Sequence, residues 1–213
     1  MTAGTAPATT TTDRSDFRHV LTSGTKVGVG IGATVIAYLV AVRFLPAGPA
    51  LALVEAVLVL AAGVAASLLP AQWSVARSVE GIAGAAAIGL WGTIVFMAID
   101  VVVLRPLNHF VGTYPWTWDA IGGGSTWWYL PIWWMLGTFV AWMGALMTAA
   151  RATRGGGGPT SLAALATPVL AGTLGVTVVV QLAHVGVYLP VTAGAAYVLT
   201  LTVLAVVAIA RQT

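Results

Sequence analysis

Apolar residues occur in six long blocks along the chain, separated by short breaks that are polar or rich in proline and glycine. Each block is close to the roughly 20 apolar residues that an α-helix needs to cross a bilayer. The predicted spans are residues 27–45, 50–69, 82–104, 127–147, 162–188 and 191–210. The pattern therefore predicts an all-α fold, a polytopic integral membrane bundle of six transmembrane helices.

Proline and glycine mark the predicted ends of these helices. Residues 46–49 contain two prolines and a glycine, which predicts a tight turn between the first two spans. Pro70 and Pro106 follow the second and third spans and are expected to stop them, because proline lacks a backbone N–H and clashes with the preceding helical turn. The glycines of residues 155–158 predict a flexible connector, and Leu189-Pro190 separates the last two spans.

The amino-terminal residues 1–24 are predicted to form a cytoplasmic tail outside a single domain of residues 25–211. Residues 1–12 are too poor in large apolar side chains to pack, and residues 13–21 fit a short interfacial helix. The basic residues before the first apolar block also allow an alternative, a signal peptide cleaved near residue 52. The block is long for a signal peptide, so we prefer the interpretation in which it is retained as a span.

The distribution of Lys and Arg predicts the orientation in the membrane. With six spans, one side holds seven basic residues and the other holds two. The seven are Arg14, Arg18, Lys26, Arg77, Arg151, Arg154 and Arg211, and the two are Arg43 and Arg105. Because basic residues accumulate on the cytoplasmic side, we expect both termini in the cytoplasm and the protein in the cell membrane.

The composition narrows the possible classes of protein. Hydrophobic residues make up 59% of the chain and charged residues 7%, which does not suit a water-soluble domain. The chain has no cysteine, so disulfides and thiolate metal sites are excluded. The net charge of +3 comes from scattered residues rather than a basic face, so nucleic acid is not an expected partner.

Four charged residues lie within or at the end of predicted spans, all near the outer side. Glu55 and Asp100 sit about one turn inside, while Arg43 and Arg105 cap their spans. A charge at the centre of a span costs about 2.5–3.5 kcal/mol on insertion scales, so such residues need partners. The two candidate ion pairs are Arg43 with Glu55 and Arg105 with Asp100. These pairs are either purely structural or part of an outward-facing polar pocket.

A polar stripe in the fifth span predicts further members of this pocket. Its residues recur at steps of three or four, which places them on one helical face: Thr173, Thr177, Gln181, His184 and Tyr188. We expect that face to point into the bundle, with its outer end at the depth of Glu55 and Asp100. A weaker alternative is a metal site formed by His109, His184, Asp100 and Glu55, although no ligand spacing along the chain enforces it.

Tryptophans are concentrated next to the outer segment 105–126 and at the start of the fourth span. Trp127, Trp128, Trp133 and Trp134 could line a groove for a quinone, a carotenoid or a lipid tail. Anchoring at the membrane interface explains tryptophans at that depth without any ligand, and it is the interpretation that we prefer.

The sequence does not by itself identify a function. No catalytic or cofactor-binding motif occurs, so no catalytic residue is assigned and no cofactor is implied. Small residues at Gly24, Gly28 and Gly32 predict close helix contact, within the bundle or with another subunit. The leading hypothesis is a non-catalytic subunit or partner of a larger membrane assembly, or a self-associating protein.

Two other functional hypotheses stay open. One is a small transporter or channel-like protein that uses Glu55, Asp100 and His184. The other is a membrane enzyme or redox subunit that binds a metal, a quinone or a lipid under the tryptophan-rich segment.

Overall fold

The computed structural model describes residues 16–104, 106, 129–154, 160–184 and 186–211, and gives only the backbone of residues 129–133 and 154. Six long helices occupy these ranges. They are α1 (Phe17–Phe44), α2 (Pro49–Trp73), α3 (Val79–Ile99), α4 (Tyr129–Arg154), α5 (Leu162–Leu182) and α6 (Leu189–Ala210). A short π-helical segment, Asp100–Leu104, continues α3.

The described part of the chain is entirely helical, and it holds six helices that are long and apolar enough to cross a membrane. The predicted all-α fold is confirmed to that extent. The predicted tail residues 1–15, the connector 155–159 and most of the outer segment 105–126 lie outside the described residues.

Several helix boundaries differ from those expected from the sequence; α5, for example, ends at Leu182 rather than at residue 188. Residues 17–21 belong to α1 instead of forming a separate interfacial helix, because Asp16 caps the helix through the backbone N–H of His19 and no proline interrupts residues 22–26. Pro70 lies inside α2 rather than ending it, since α2 continues to Trp73. A proline one turn before a helix end removes a single backbone hydrogen bond, which the last turn tolerates.

Five of the helices form a closed ring. Going round it, α1 packs against α3, α3 against α4, α4 against α6, α6 against α2, and α2 against α1. The helix α5 lies outside the ring, against α6 and α2. We call the end of the bundle where α1 finishes and α2 begins the Glu55 end, and the opposite end the Trp73 end.

The contact between α1 and α3 depends on glycine. A Cβ added at Gly28 would lie 2.5 Å from the carbonyl oxygen of Gly92, and one added at Gly24 would lie 2.8 Å from the carbonyl oxygen of Ile88. Both atoms are backbone and cannot rotate away. The predicted glycine series of α1 therefore makes its close contact within this bundle, where small residues let two helix backbones approach each other.

Two more glycines of α4 let it approach its neighbours in the same way. A Cβ at Gly137 would lie 1.9 Å from Thr93 Oγ1 on α3, and one at Gly144 would lie 2.0 Å from the carbonyl oxygen of Ser67 on α2. The α2 to α4 contact at Ser67 crosses the ring toward the Trp73 end. On the Trp73 side of this contact, the bundle has a fully buried core that includes Leu68, Met147, Leu165 and Leu201.

We expect Gly28→Ala to destabilise the protein and Gly30→Ala to leave it nearly unchanged. The added methyl group at position 28 collides with backbone, and overpacking of this kind costs about 1–3 kcal/mol. A Cβ at Gly30 meets no atom within 4 Å, so that variant is the matched control. Thermal unfolding of both purified variants in detergent measures the difference, and equal melting temperatures would show that the α1 to α3 contact is looser than described.

Candidate functional site

A buried carboxylate held by two tyrosines lies at the Glu55 end. Glu55, in the second turn of α2, is 2% exposed, and the hydroxyl of Tyr188 donates a hydrogen bond to its Oε2 atom. The phenol of Tyr38 on α1 interacts with the same carboxylate. We call Tyr38, Glu55 and Tyr188 the Glu55 cluster. It joins three elements: α1, α2 and the residue that precedes α6.

The turn between α5 and α6 positions Tyr188. The helix α5 ends at Leu182, and His184 and Gly186 then adopt positive φ angles of 52° and 72°. Gln181 holds this turn, because its Nε2 atom donates to the carbonyl oxygen of Val187 at 3.1 Å and to Thr192 Oγ1 at 3.3 Å. Tyr188 then occupies the N-cap position of α6, and its hydroxyl reaches Glu55 on α2.

A partly open cavity of about 620 Å³ lies between the five helices of the ring. Every helix of the ring lines it, and α5 does not. Its lining is mostly aliphatic, with Val35, Ala62, Phe96, Val140 and Val198 as representative residues. Tyr38 and Tyr188 of the Glu55 cluster also belong to the lining, so the cluster stands at one end of the cavity.

The exposure of the lining residues gives the cavity a direction. At the Glu55 end Tyr188 is 52% exposed and Val191 61%, whereas deeper in the ring Val27, Val140 and Tyr197 are buried. The α2 to α4 contact and the core below it close the Trp73 end. Among the described residues, therefore, the cavity is accessible from the Glu55 end.

The polar groups of the cavity wall are already hydrogen-bonded within the protein. Tyr197 shares a hydrogen bond of 2.7 Å with Ser67, and the hydroxyls of Thr34 and Thr93 donate to the carbonyl oxygens of Gly30 and Gly89, each at 2.9 Å. A wall of aliphatic groups and satisfied hydroxyls offers water few partners, so the deep part of the cavity suits an apolar occupant.

The charged residues predicted for this region are only partly brought together. Glu55 is bonded to tyrosines, and Arg43 is exposed at the last turn of α1. Asp100 is 1% exposed in the π-helical segment after α3, and it is not part of the cavity lining. Arg105, its predicted partner, lies outside the described residues, so the two predicted ion pairs stay predictions.

The predicted stripe of α5 divides into two parts. Thr173 and Thr177 are buried, whereas Gln181 and His184 are exposed, because the helix ends before the stripe can continue to His184. Within the described residues, no three or more His, Asp or Glu side chains lie close enough together to hold a metal ion. His109, which the metal hypothesis also requires, lies outside those residues.

The predicted tryptophan groove is described only at one residue. Trp134 is 44% exposed and does not line the cavity, while Trp127, Trp128 and the side chain of Trp133 lie outside the described residues. The cavity instead depends on Tyr38 and Tyr197, which the sequence analysis missed. Each is an isolated tyrosine in an apolar span, and a phenol hydroxyl in such a place usually needs a partner.

We expect Tyr188→Phe to destabilise the protein by about 1 kcal/mol or more, because Glu55 loses a donor while it stays buried. In a Glu55→Met background the same change should cost almost nothing, since no carboxylate is left to satisfy. Thermal unfolding of the two single variants and the double variant in detergent gives the coupling free energy.

Tyr197→Phe is the control for this cycle. It removes a phenol hydroxyl at the other end of the cavity, where the partner is Ser67, and its cost should be the same in both backgrounds. Additive effects of Tyr188→Phe and Glu55→Met would contradict the described hydrogen bond.

Comparison with protein-family models, with curated proteins and with solved structures returned no match. The functional interpretation therefore rests on the sequence and on the geometry of the cavity and the Glu55 cluster.

Proposed function

We propose that the protein is a non-catalytic, multi-pass protein of the cell membrane that binds an apolar molecule in its central cavity. The observation that carries this proposal is the cavity of about 620 Å³, which is lined by five helices and mostly by apolar side chains. Its volume falls in the range of about 300–1,000 Å³ that is typical of small-molecule sites.

The exposed surface supports insertion in a bilayer. In the most apolar part of each helix, only 22% to 50% of the residues are buried inside the protein. The rest of those surfaces carries large aliphatic groups such as Leu53, Leu174 and Val203, which are 50% to 65% exposed. Contiguous apolar surface on every helix is stable in contact with lipid and is costly in contact with water.

The charge distribution supports an orientation with both termini in the cytoplasm. In that orientation the Trp73 end, with Arg18, Arg77 and Arg151, faces the cytoplasm, and the Glu55 end faces outward. The cavity is then accessible from the outer leaflet.

Single cysteines test this topology, because the chain has no cysteine of its own. We expect Ala47→Cys, between α1 and α2, to react with a membrane-impermeant maleimide in intact cells. Thr160→Cys, before α5, should react only after permeabilisation. The two variants control each other for expression and reactivity, and a reversed labelling pattern would overturn the proposed orientation.

Filling the cavity tests the binding function. We expect Ala62→Phe, which puts a ring into the cavity, to reduce a co-purified apolar ligand at least about tenfold in native mass spectra. Its melting temperature should hold or rise, since the ring fills empty space. Ala61→Phe is the matched control, because Ala61 is exposed on the same helix and does not line the cavity.

Wild-type protein without a bound ligand, or equal ligand in the two variants, would contradict the proposed binding function. The same spectra record any co-purifying chain. Assembly with other membrane subunits, the leading hypothesis from the sequence, stays a prediction. The glycine series of α1, which suggested a contact with another subunit, has another explanation. Gly24, Gly28 and Gly32 contact α3 of the same chain.

The transport hypothesis also stays a prediction. It requires Glu55, Asp100 and His184 to act on one ion. Glu55 and Asp100 are buried at the Glu55 end, whereas His184 is exposed in the turn after α5. Binding of an apolar molecule requires only the cavity that the structure describes, so we prefer the binding hypothesis to the transport hypothesis.

A further inference from the structure

The Glu55 cluster restricts what kind of molecule fits the cavity, provided that the proposed binding function holds. We propose that the occupant is a single-chain amphiphile whose head group is a hydrogen-bond donor, a hydroxyl or an ammonium. Its chain lies in the cavity and its head lies against Tyr38 and Tyr188. Chain length, polarity of the head site and charge each support this assignment.

The cavity has the length of one bilayer leaflet. On α1 its lining runs from Val27 to Tyr38. At 1.5 Å per residue this stretch rises about 16 Å, close to half of the roughly 30 Å hydrocarbon core. An extended chain of one leaflet therefore matches the cavity from its buried end to the Glu55 cluster.

The polar end of the cavity offers acceptors to a ligand. Tyr188 donates its only hydroxyl hydrogen to Glu55 Oε2. The phenol oxygens of Tyr38 and Tyr188 keep lone pairs, and both side chains line the cavity. A ligand head can therefore bond to the Tyr188 hydroxyl only by donating hydrogen.

The charge of Glu55 favours the same class of head group. An ionised carboxylate attracts an ammonium and repels a carboxylate or a phosphate, and Glu55 is buried beside Tyr188 at this end of the cavity. The competing feature is Arg43, a cation on the last turn of α1. Arg43 is exposed and does not line the cavity, whereas Glu55 is hydrogen-bonded to Tyr188, which does line it.

Three photoreactive probes with the same dodecyl chain test the head group: an amine, an alcohol and a carboxylate. The protein is placed in lipid nanodiscs, which avoids alkyl detergents that would occupy the cavity, and crosslinking is measured by intact mass. We expect the amine and the alcohol to crosslink at least about tenfold more than the carboxylate, the effect of one lost hydrogen bond to a charged network.

Two variants assign this preference to the Glu55 cluster. Tyr188→Phe should reduce the preference for donor heads while chain-dependent crosslinking persists. Tyr197→Phe removes a phenol hydroxyl at the opposite end of the cavity and should leave the preference unchanged. Because the wild-type probe series is informative by itself, the test does not depend on either variant folding.

The outcomes separate the head-group inference from the proposed function. Equal crosslinking of the three probes, or a preference for the carboxylate, with loss of all crosslinking in Ala62→Phe, overturns the donor-head inference and leaves the cavity as an apolar site. Crosslinking that is unchanged in Ala62→Phe shows that the probes lie outside the cavity, and it overturns both.

Discussion

Close backbone contact at a few glycines determines the shape of this bundle. Gly28 brings α1 against α3, and Gly144 brings α4 against the carbonyl oxygen of Ser67 on α2. The α2 to α4 contact draws the ring together toward the Trp73 end, where the core is fully buried. Toward the Glu55 end the same helices leave a cavity between them, with Phe96 and Val35 in its lining. The cavity is thus a geometric consequence of tight packing at one end.

The burial of Glu55 imposes a second constraint. A carboxylate with 2% exposure among apolar helices must be neutralised or supplied with donors, since an unsatisfied charge in a medium of low dielectric constant is costly. Among the described residues, the phenol of Tyr188 is such a donor. Tyr188 reaches Glu55 only because the turn after α5 reverses direction at His184 and Gly186. The irregular turn and the buried carboxylate therefore depend on each other, and together they fix the polar end of the cavity.

Hydrophobic blocks predicted the six helices well, because block length and proline positions are local properties of the chain. The same local reasoning expected Pro70 to end α2 and residues 13–21 to form a separate helix, and the structure differs at both places since the capping by Asp16 and the packing of the last turn of α2 decide them. Glu55 and Tyr188 were singled out from the sequence, but their direct contact was not, because helical periodicity cannot describe a turn with positive φ. Tyr38 was missed since the partner that makes it significant lies on another helix, and which helices become neighbours is a tertiary property.

Selection among membrane molecules must come mainly from the polar end of the cavity. Inside a bilayer, a hydrocarbon chain gains little by leaving lipid for an aliphatic wall, since lipid tails are as apolar as leucine. The apolar wall excludes chains that are too bulky, but it does not distinguish between chains of equal length and shape. A hydrogen bond formed away from water distinguishes head groups strongly, because a donor without an acceptor, or an anion beside Glu55, stays unsatisfied there. In the proposed complex, therefore, the Glu55 cluster selects the head group of the amphiphile and the apolar wall limits the size of its chain.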